Sequence, residues 1–415
     1  MKETYFTRKR LLWFGEVISC LLMKWIKSLQ IRLNEIALKC KFTLFASASA
    51  LCQARQKLKH TAFIELNERA IIEPFYQSEH VQTRHGHFLK AIDGSKISIP
   101  DTADIRKRFP VMKASNWKQQ YDHTQAMFSC LYDPLNKLSL HACFEDIHTS
   151  EAAMAYKHIK RLNNQDILLL DRLYPWYILF NLILNQGANF VARCRRKLFL
   201  ACDELFNEDC KVTSKIVTLT PSHIAKKEAK EMWLVLPEKL QVRFVRLILS
   251  TGEVEVLATS LDQEHYPDEL FQDLYFKRRG IETYYDILKN RLQLENFSWE
   301  TVESLFQDVY STVFLSNLET ICTQETNEEL TQKCEQKWLQ NKQQVNHMVS
   351  FNAIKNSAFE LLFWPVQNIT TLLNKLKRLF HTTPTPIRPW RKFPRNRPSD
   401  RQRVCYYREK KKYSF

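Results

Sequence analysis

The run Asp166-Ile167-Leu168-Leu169-Leu170-Asp171 constrains the fold of this chain more than any other stretch. Its apolar residues follow one another without a polar alternate, so the segment reads as a strand covered on both faces, as in α/β proteins. The surrounding pattern agrees. Phe88–Asp93 is a second short apolar strand ended by an acid and broken by Gly94-Ser95. Gln125–Leu131 and Lys137–Phe144 are strand candidates joined by the turn chemistry of Asp133-Pro134-Leu135-Asn136. Ser150 can cap a helix whose stripe is Ala152, Ala153, Tyr156, Ile159 and Leu162. A helix over Pro175–Asn185 and a strand over Asn189–Cys194 follow. The order is strand, strand, strand, helix, strand, helix, strand.

On either side the texture changes. Residues 1–80 read as helices, and the apolar run Leu11–Ile26, interrupted by Glu16 and Lys24, is expected to be a buried amphipathic helix with no membrane span. Ser47–Leu58, with Arg55 and Lys57, suits either the second helix of a DNA-reading helix-turn-helix or a plain bundle helix. Residues 196–262 are β-rich, with strands expected at Lys211–Leu219, Glu231–Leu236, Val242–Leu249 and Glu253–Thr259. A helix of strong helix formers then runs from Pro267 to about Leu292, with a break expected at Gly280. Helical patterns continue through Thr301–Asn317 and less regularly to Phe380.

Composition excludes several functions. Only 6 glycines are present, and neither a P-loop nor a GxGxxG dinucleotide fingerprint occurs. The 11 cysteines form no CxxC pair, so reduced thiols in a cytoplasmic protein are expected in place of a zinc knuckle or disulfide framework. Lys and Arg number 61 against 45 Asp and Glu, a net charge of +16, which points to a polyanionic partner. Eleven cations lie between Arg388 and Phe415, opposed only by Asp400 and Glu409, with Trp390, Tyr406, Tyr407 and Tyr413 interleaved. Such a tail can follow a phosphate backbone while its rings stack on bases, or it can be a solvated tail of nonspecific affinity.

Two acids at the ends of core strands, Asp93 and Asp171, need a cation, a partner or hydrogen bonds. If their strands are neighbours, both carboxylates emerge at one sheet edge. A third acid belongs to the helix after the β-rich stretch. At about 100° per residue, Tyr275, Arg278, Glu282 and Lys289 share one narrow helix face. Pairing of Arg278 with Glu282 on a solvated face is the simpler reading of that pattern alone.

Together these motifs resemble a DDE transposase of the insertion-sequence-four family. The Asp-Gly-Ser/Thr motif is Asp93-Gly94-Ser95, followed by Pro100-Asp101-Thr102, and Asp-Arg-Gly-Tyr is matched by Asp171-Arg172-Leu173-Tyr174. The Tyr-x2-Arg-x3-Glu-x6-Lys signature is matched at every position by Tyr275, Arg278, Glu282 and Lys289. Phe6–Arg10, Lys27–Gln30 and Lys411–Tyr413 also look family-like. Three positions depart: Leu173 for the usual Gly, Gly280 for a common aromatic, and Trp299 where Gly is usual.

The resemblance implies an α/β fold, an RNase H-like mixed sheet flanked by helices and interrupted by a β-rich insertion. It implies a helical DNA-binding region at 1–80, a catalytic core at 84–195 and 266–320 around an insertion at 196–265, and a helical region with a basic tail at 321–415. Asp93, Asp171 and Glu282 would be catalytic and hold two Mg²⁺ ions, Mn²⁺ substituting. Tyr275, Arg278 and Lys289 would bind DNA phosphates. The expected activity is cleavage at transposon ends and strand transfer; a catalytically inactive, transposase-derived DNA-binding protein is the alternative. Implied partners are double-stranded DNA at terminal inverted repeats, target DNA and a second copy in a synaptic complex. The expected place is the bacterial cytoplasm at the nucleoid, with no membrane. Trp233 is a stacking candidate for a flipped base but reads more simply as core. His85 and His87 read as surface histidines.

Overall fold

The computed structural model describes residues 12–23, 29–39, 46–115 and 120–388. Phe6–Arg10, Lys27-Ser28 and the tail beyond Arg388 lie outside the described residues. The chain forms two compact units. One comprises Gln77–Lys96 and Met127–Tyr285; the other draws on Met1–Tyr76, Ile97–Ala126 and Asp286–Phe415.

Nine strands form a mixed sheet: β1 (Phe88–Ile99), β2 (Val111–Ser115), β3 (Gln120–Asp133), β4 (Leu138–Asp146), β5 (Asp166–Leu170), β6 (Asn189–Arg193), β7 (Ser214–Leu219), β8 (Leu240–Ile248) and β9 (Val254–Thr259). Their order is β2-β3-β1-β5-β6-β9-β8-β7, with β4 also beside β3. β5 is the strand the apolar run requires: every one of its residues is buried. It pairs in parallel with β1 on one side and β6 on the other. Helices Glu151–Ile159 and Tyr177–Asn185 supply the connections that parallel strands need. Ser150 accepts a hydrogen bond from the Ala153 N–H and so caps the first of them.

Strands β7, β8 and β9 are antiparallel and extend the same sheet through β9 against β6. The strand expected at Glu231–Leu236 does not form. Ser222 caps a helix, His223–Glu231, that ends where the Leu234 N–H returns to the Ala229 carbonyl and Trp233 takes a φ of 54°. Trp233 is 95% exposed, so the core reading of this ring is overturned.

The helix expected over Pro267–Leu292 is segmented into Leu270–Phe276, Arg279–Asp286 and a π-helical turn, Ile287–Arg291. Around the first break Arg278 N–H bonds Tyr275 O and Ile281 N–H bonds Arg278 O, the tighter i to i−3 pattern. Gly280 packs at this break: a Cβ there would sit 2.9 Å from Pro134 Cβ. Next to it, Tyr284 stacks on Tyr132 at 4.5 Å between centroids.

The other unit is mainly helical. Thr301 caps a single 35-residue helix, Val302–Gln336, longer than its irregular pattern suggested. Ser47 caps Ala48–Lys57, whose Arg55 is buried and bonded to Ser298, Gln307 and Asp308. Arg55 therefore packs between helices and is not presented for base reading. Trp299 lies beneath its guanidinium at 5.6 Å. Phe14–Leu22 is a buried helix, as expected. No described helix is long and apolar enough to cross a membrane.

Gly280→Ala tests the packing. Helix propensity alone would raise stability by about 1 kcal/mol. The contact with Pro134 is expected to reverse the sign, lowering stability by about 1–3 kcal/mol as measured by urea denaturation. A higher urea midpoint would contradict the packing account.

Candidate active site

The parallel register of β1 and β5 pairs Phe88 with Asp166 and Ala91 with Leu169. Carried two residues further, the same register sets Asp93 across from Asp171. Asp93 is not at a strand end as the sequence suggested; β1 runs on to Ile99, past Gly94-Ser95. Asp171 does follow the last residue of β5. Leu173, in place of the usual Gly, is not among the described residues with positive φ, so the turn after Asp171 has no need of glycine.

The Asp93 backbone is held firmly. Its carbonyl accepts from the Ser129 hydroxyl at 3.0 Å and the Tyr285 hydroxyl at 2.6 Å, while its Oδ1 accepts from the Gly94 N–H at 2.9 Å. The glycine has a reason: a Cβ on residue 94 would come within 3.3 Å of the Glu151 side chain. Glu151, on the first turn of its helix, is thereby admitted beside Asp93. Sequence reasoning missed it; the only signal was its place directly after the Ser150 cap.

Arg278 gathers the acids. Its Nη2 lies 3.0 Å from Asp93 Oδ2 and 3.6 Å from Asp171 Oδ2, and its Nη1 donates to Glu282 Oε1 at 2.7 Å. The guanidinium is 6% exposed, and its Nε makes no hydrogen bond. Three residues distant in sequence thus converge on one cation. Burial pushes the Asp93 carboxyl up to about 6 against the pull of Arg278, and the charges of Asp171 and Glu151 push the same way as burial. Burial also holds Arg278 against ionisation, but the surrounding carboxylates outweigh it and raise its pKa.

The remaining signature residues are placed differently. Tyr275 is half-buried and donates to the Leu170 carbonyl at 3.2 Å, which ties its segment to the end of β5. Lys289 lies on the π-helical turn Ile287–Arg291. That turn and the break at Lys277-Arg278 end the straight-helix geometry on which a single Tyr-Arg-Glu-Lys face depended. Tyr174 is a fully buried packing ring, and Arg172 is exposed. His85 is exposed with a φ of 50°, and His87 is half-buried beside Tyr266. The described cysteines are all free thiols.

The donor set suits a hard divalent cation. Carboxylate oxygens are the ligands such ions prefer, and the positive charge they require is here supplied by Arg278. As they stand, the three carboxylates do not bring one oxygen each within 4.8 Å of the others, and the Arg278 guanidinium bridges them.

Comparison with known proteins then places the chain. A match to the family described as Transposase DDE domain covers residues 85–318. No curated protein matches. One solved structure, the cryo-EM structure of a piggyBac transposase synaptic complex with hairpin DNA, is 11% identical with a TM-score of 0.40, over 94% of this chain and 78% of that one. The family match spans more than half of the chain and includes Asp93, Asp171 and Glu282, and the chain belongs to the transposase DDE domain family.

Proposed function

We propose that this protein is an active transposase of the insertion-sequence-four type, cutting DNA at transposon ends and joining them to target DNA on an RNase H-like core. One observation carries the reading: Asp93, Asp171 and Glu282, each on a different element, share a single guanidinium. Gathering several like charges at one point is costly for stability alone, and such a cluster marks a site for cations and phosphate.

In this reading Asp93, Asp171 and Glu282 hold two Mg²⁺ ions, with Mn²⁺ as a substitute. Bound there, the ions activate an attacking oxygen and stabilise the leaving one in displacement at phosphorus. The parallel register of β1 and β5 sets the two aspartates side by side, and the hydroxyls of Ser129 and Tyr285 fix the backbone of Asp93. Arg278 leaves the carboxylates and turns its fork to the scissile phosphate, so that the acids are freed as the substrate is clamped. Lys289 contributes a point charge to the backbone, and Tyr275 supports a phosphate from the end of β5. The substrates are terminal inverted repeats and target DNA, synapsed by a homodimer in the bacterial nucleoid.

Asp93→Ala, Asp171→Ala and Glu282→Ala are each expected to abolish Mg²⁺-dependent cleavage and joining of DNA carrying the cognate ends, while duplex binding persists. Cleavage by wild type that is no greater than by these variants would establish the inactive DNA-binding alternative.

The raised carboxyl of Asp93 gives a pH signature. The unfolded state ionises near pH 4 and the folded state near pH 6. Over that interval the folded state binds more protons, so wild-type stability falls as pH rises. Asp93→Asn removes this penalty. In metal-free buffer it is expected to stabilise the protein above about pH 6, by at most about 3 kcal/mol, and to give little gain below about pH 4. Cleavage by wild type is expected to rise with pH through the same range. A stability difference between variant and wild type that does not change with pH would refute the assignment.

A further inference from the structure

Behind the Asp93 strand a second group of ligand side chains meets. His141 and Cys143 point to the same side of β4, two residues apart, and His158 stands on the helix Glu151–Ile159. One ring nitrogen of His141, one of His158 and Cys143 Sγ all lie within 4.8 Å of one another. His141 Nδ1 is 2.9 Å from His158 Nδ1 and 4.0 Å from the sulfur. Cys143 and His158 are buried, and His141 is half-buried.

Protons in this cluster have only one consistent arrangement. The carbonyl of Asp93 can only accept, so the Ser129 hydroxyl donates to it. The hydroxyl oxygen, 3.0 Å from His158 Nε2, must then accept that ring's N–H. The 2.9 Å contact between the two Nδ1 atoms needs one donor and one acceptor, and with the His158 proton on Nε2 its Nδ1 lone pair accepts from His141. An imidazole fixed through its far N–H, with a lone pair on the near nitrogen, is the arrangement by which proteins prepare a histidine to bind a metal.

We propose that His141, Cys143 and His158 form a binding site for a borderline-soft divalent cation, with Zn²⁺ as the best fit. Two imidazoles and a thiolate are ligands that Zn²⁺ takes at about 2.0–2.3 Å, and an outside water completes a tetrahedron. Small rotamer changes suffice to part the two rings and draw in the sulfur. On binding, the Cys143 thiol gives its proton to solvent and the His141 proton moves from Nδ1 to Nε2, so one proton is released. The resulting thiolate offsets the cation beside Lys157, itself paired with Glu145, and Arg161. Imidazole and thiolate are poor ligands for hard Mg²⁺, and the neighbouring carboxylate, Glu145, is engaged by Lys157, so the two sites of the unit are chemically distinct. The metal would pin β4 to the helix that carries Glu151. The proposal rests on this cluster alone and not on the transposase chemistry.

The test uses the full-length chain carrying Asp93→Asn and Asp171→Asn, which removes carboxylates that also attract zinc. Dialysed against Zn²⁺ and then excess Mg²⁺, it is expected to retain one equivalent of zinc. Its Co²⁺ form is expected to show thiolate-to-metal charge-transfer absorption. Adding Cys143→Ser is expected to remove that absorption and weaken zinc binding about tenfold or more, with far-ultraviolet circular dichroism unchanged. Should Cys143→Ser not fold, cobalt absorption of the parent protein, lost on specific alkylation of Cys143, serves as the readout. Zinc displaced by Mg²⁺, cobalt binding without a thiolate band, or equal zinc affinity in the folded Cys143→Ser variant would overturn the proposal.

Discussion

The ionic cluster around Arg278 organises the candidate site. One nearly inaccessible guanidinium satisfies Glu282 on its own helix and faces Asp93 and Asp171 on two strands. Without that charge the half-buried Asp93 would face Asp171 and Glu151 uncompensated, a situation proteins relieve by protonation or by binding a cation. The structure shows the ion-paired form of this cluster; in the function proposed above, divalent ions would take the place of the guanidinium and leave it for phosphate.

The sheet makes this possible. A parallel pair with both faces covered allows two aspartates to stand side by side at one position along the strands, and β5 is buried throughout. The backbone around Asp93 is fixed from two directions, by Ser129 on β3 and by Tyr285 on the Glu282 helix. Ser129 in turn is held by His158. The backbone of Asp93 is thus tied, through one hydroxyl, to the His158 imidazole.

Elements whose physics is local were legible in the sequence. The unbroken apolar run gave β5, Ser150 capped its helix, and the Asp133–Asn136 turn joined two strands. Strand and helix patterns put the three acids on separate elements, and it was the family resemblance, not the patterns, that joined them into one candidate site. What required tertiary contacts was not. Gly280 looked like a helix defect until Pro134 was seen against it, and Gly94 looked like a strand breaker until Glu151 filled the space beside it. Met232-Trp233-Leu234-Val235 has strand composition, yet Trp233 and Val235 are both exposed at the end of a capped helix. The Tyr-Arg-Glu-Lys face presumed an unbroken α-helix, which the tight turn at Arg278 and the π-turn at Ile287 do not provide. Glu151 carried no sequence signal that distinguished it from any acid on a first helical turn.

The central claim is that three carboxylates now shared by an arginine are the ligands of divalent ions. Anomalous scattering from crystals of the full chain soaked in Mn²⁺ tests it directly. The account predicts manganese bound between Asp93, Asp171 and Glu282, with oxygens at about 2.2 Å and the Arg278 guanidinium turned away. Manganese found only elsewhere, with Arg278 still bridging the three acids, would contradict it.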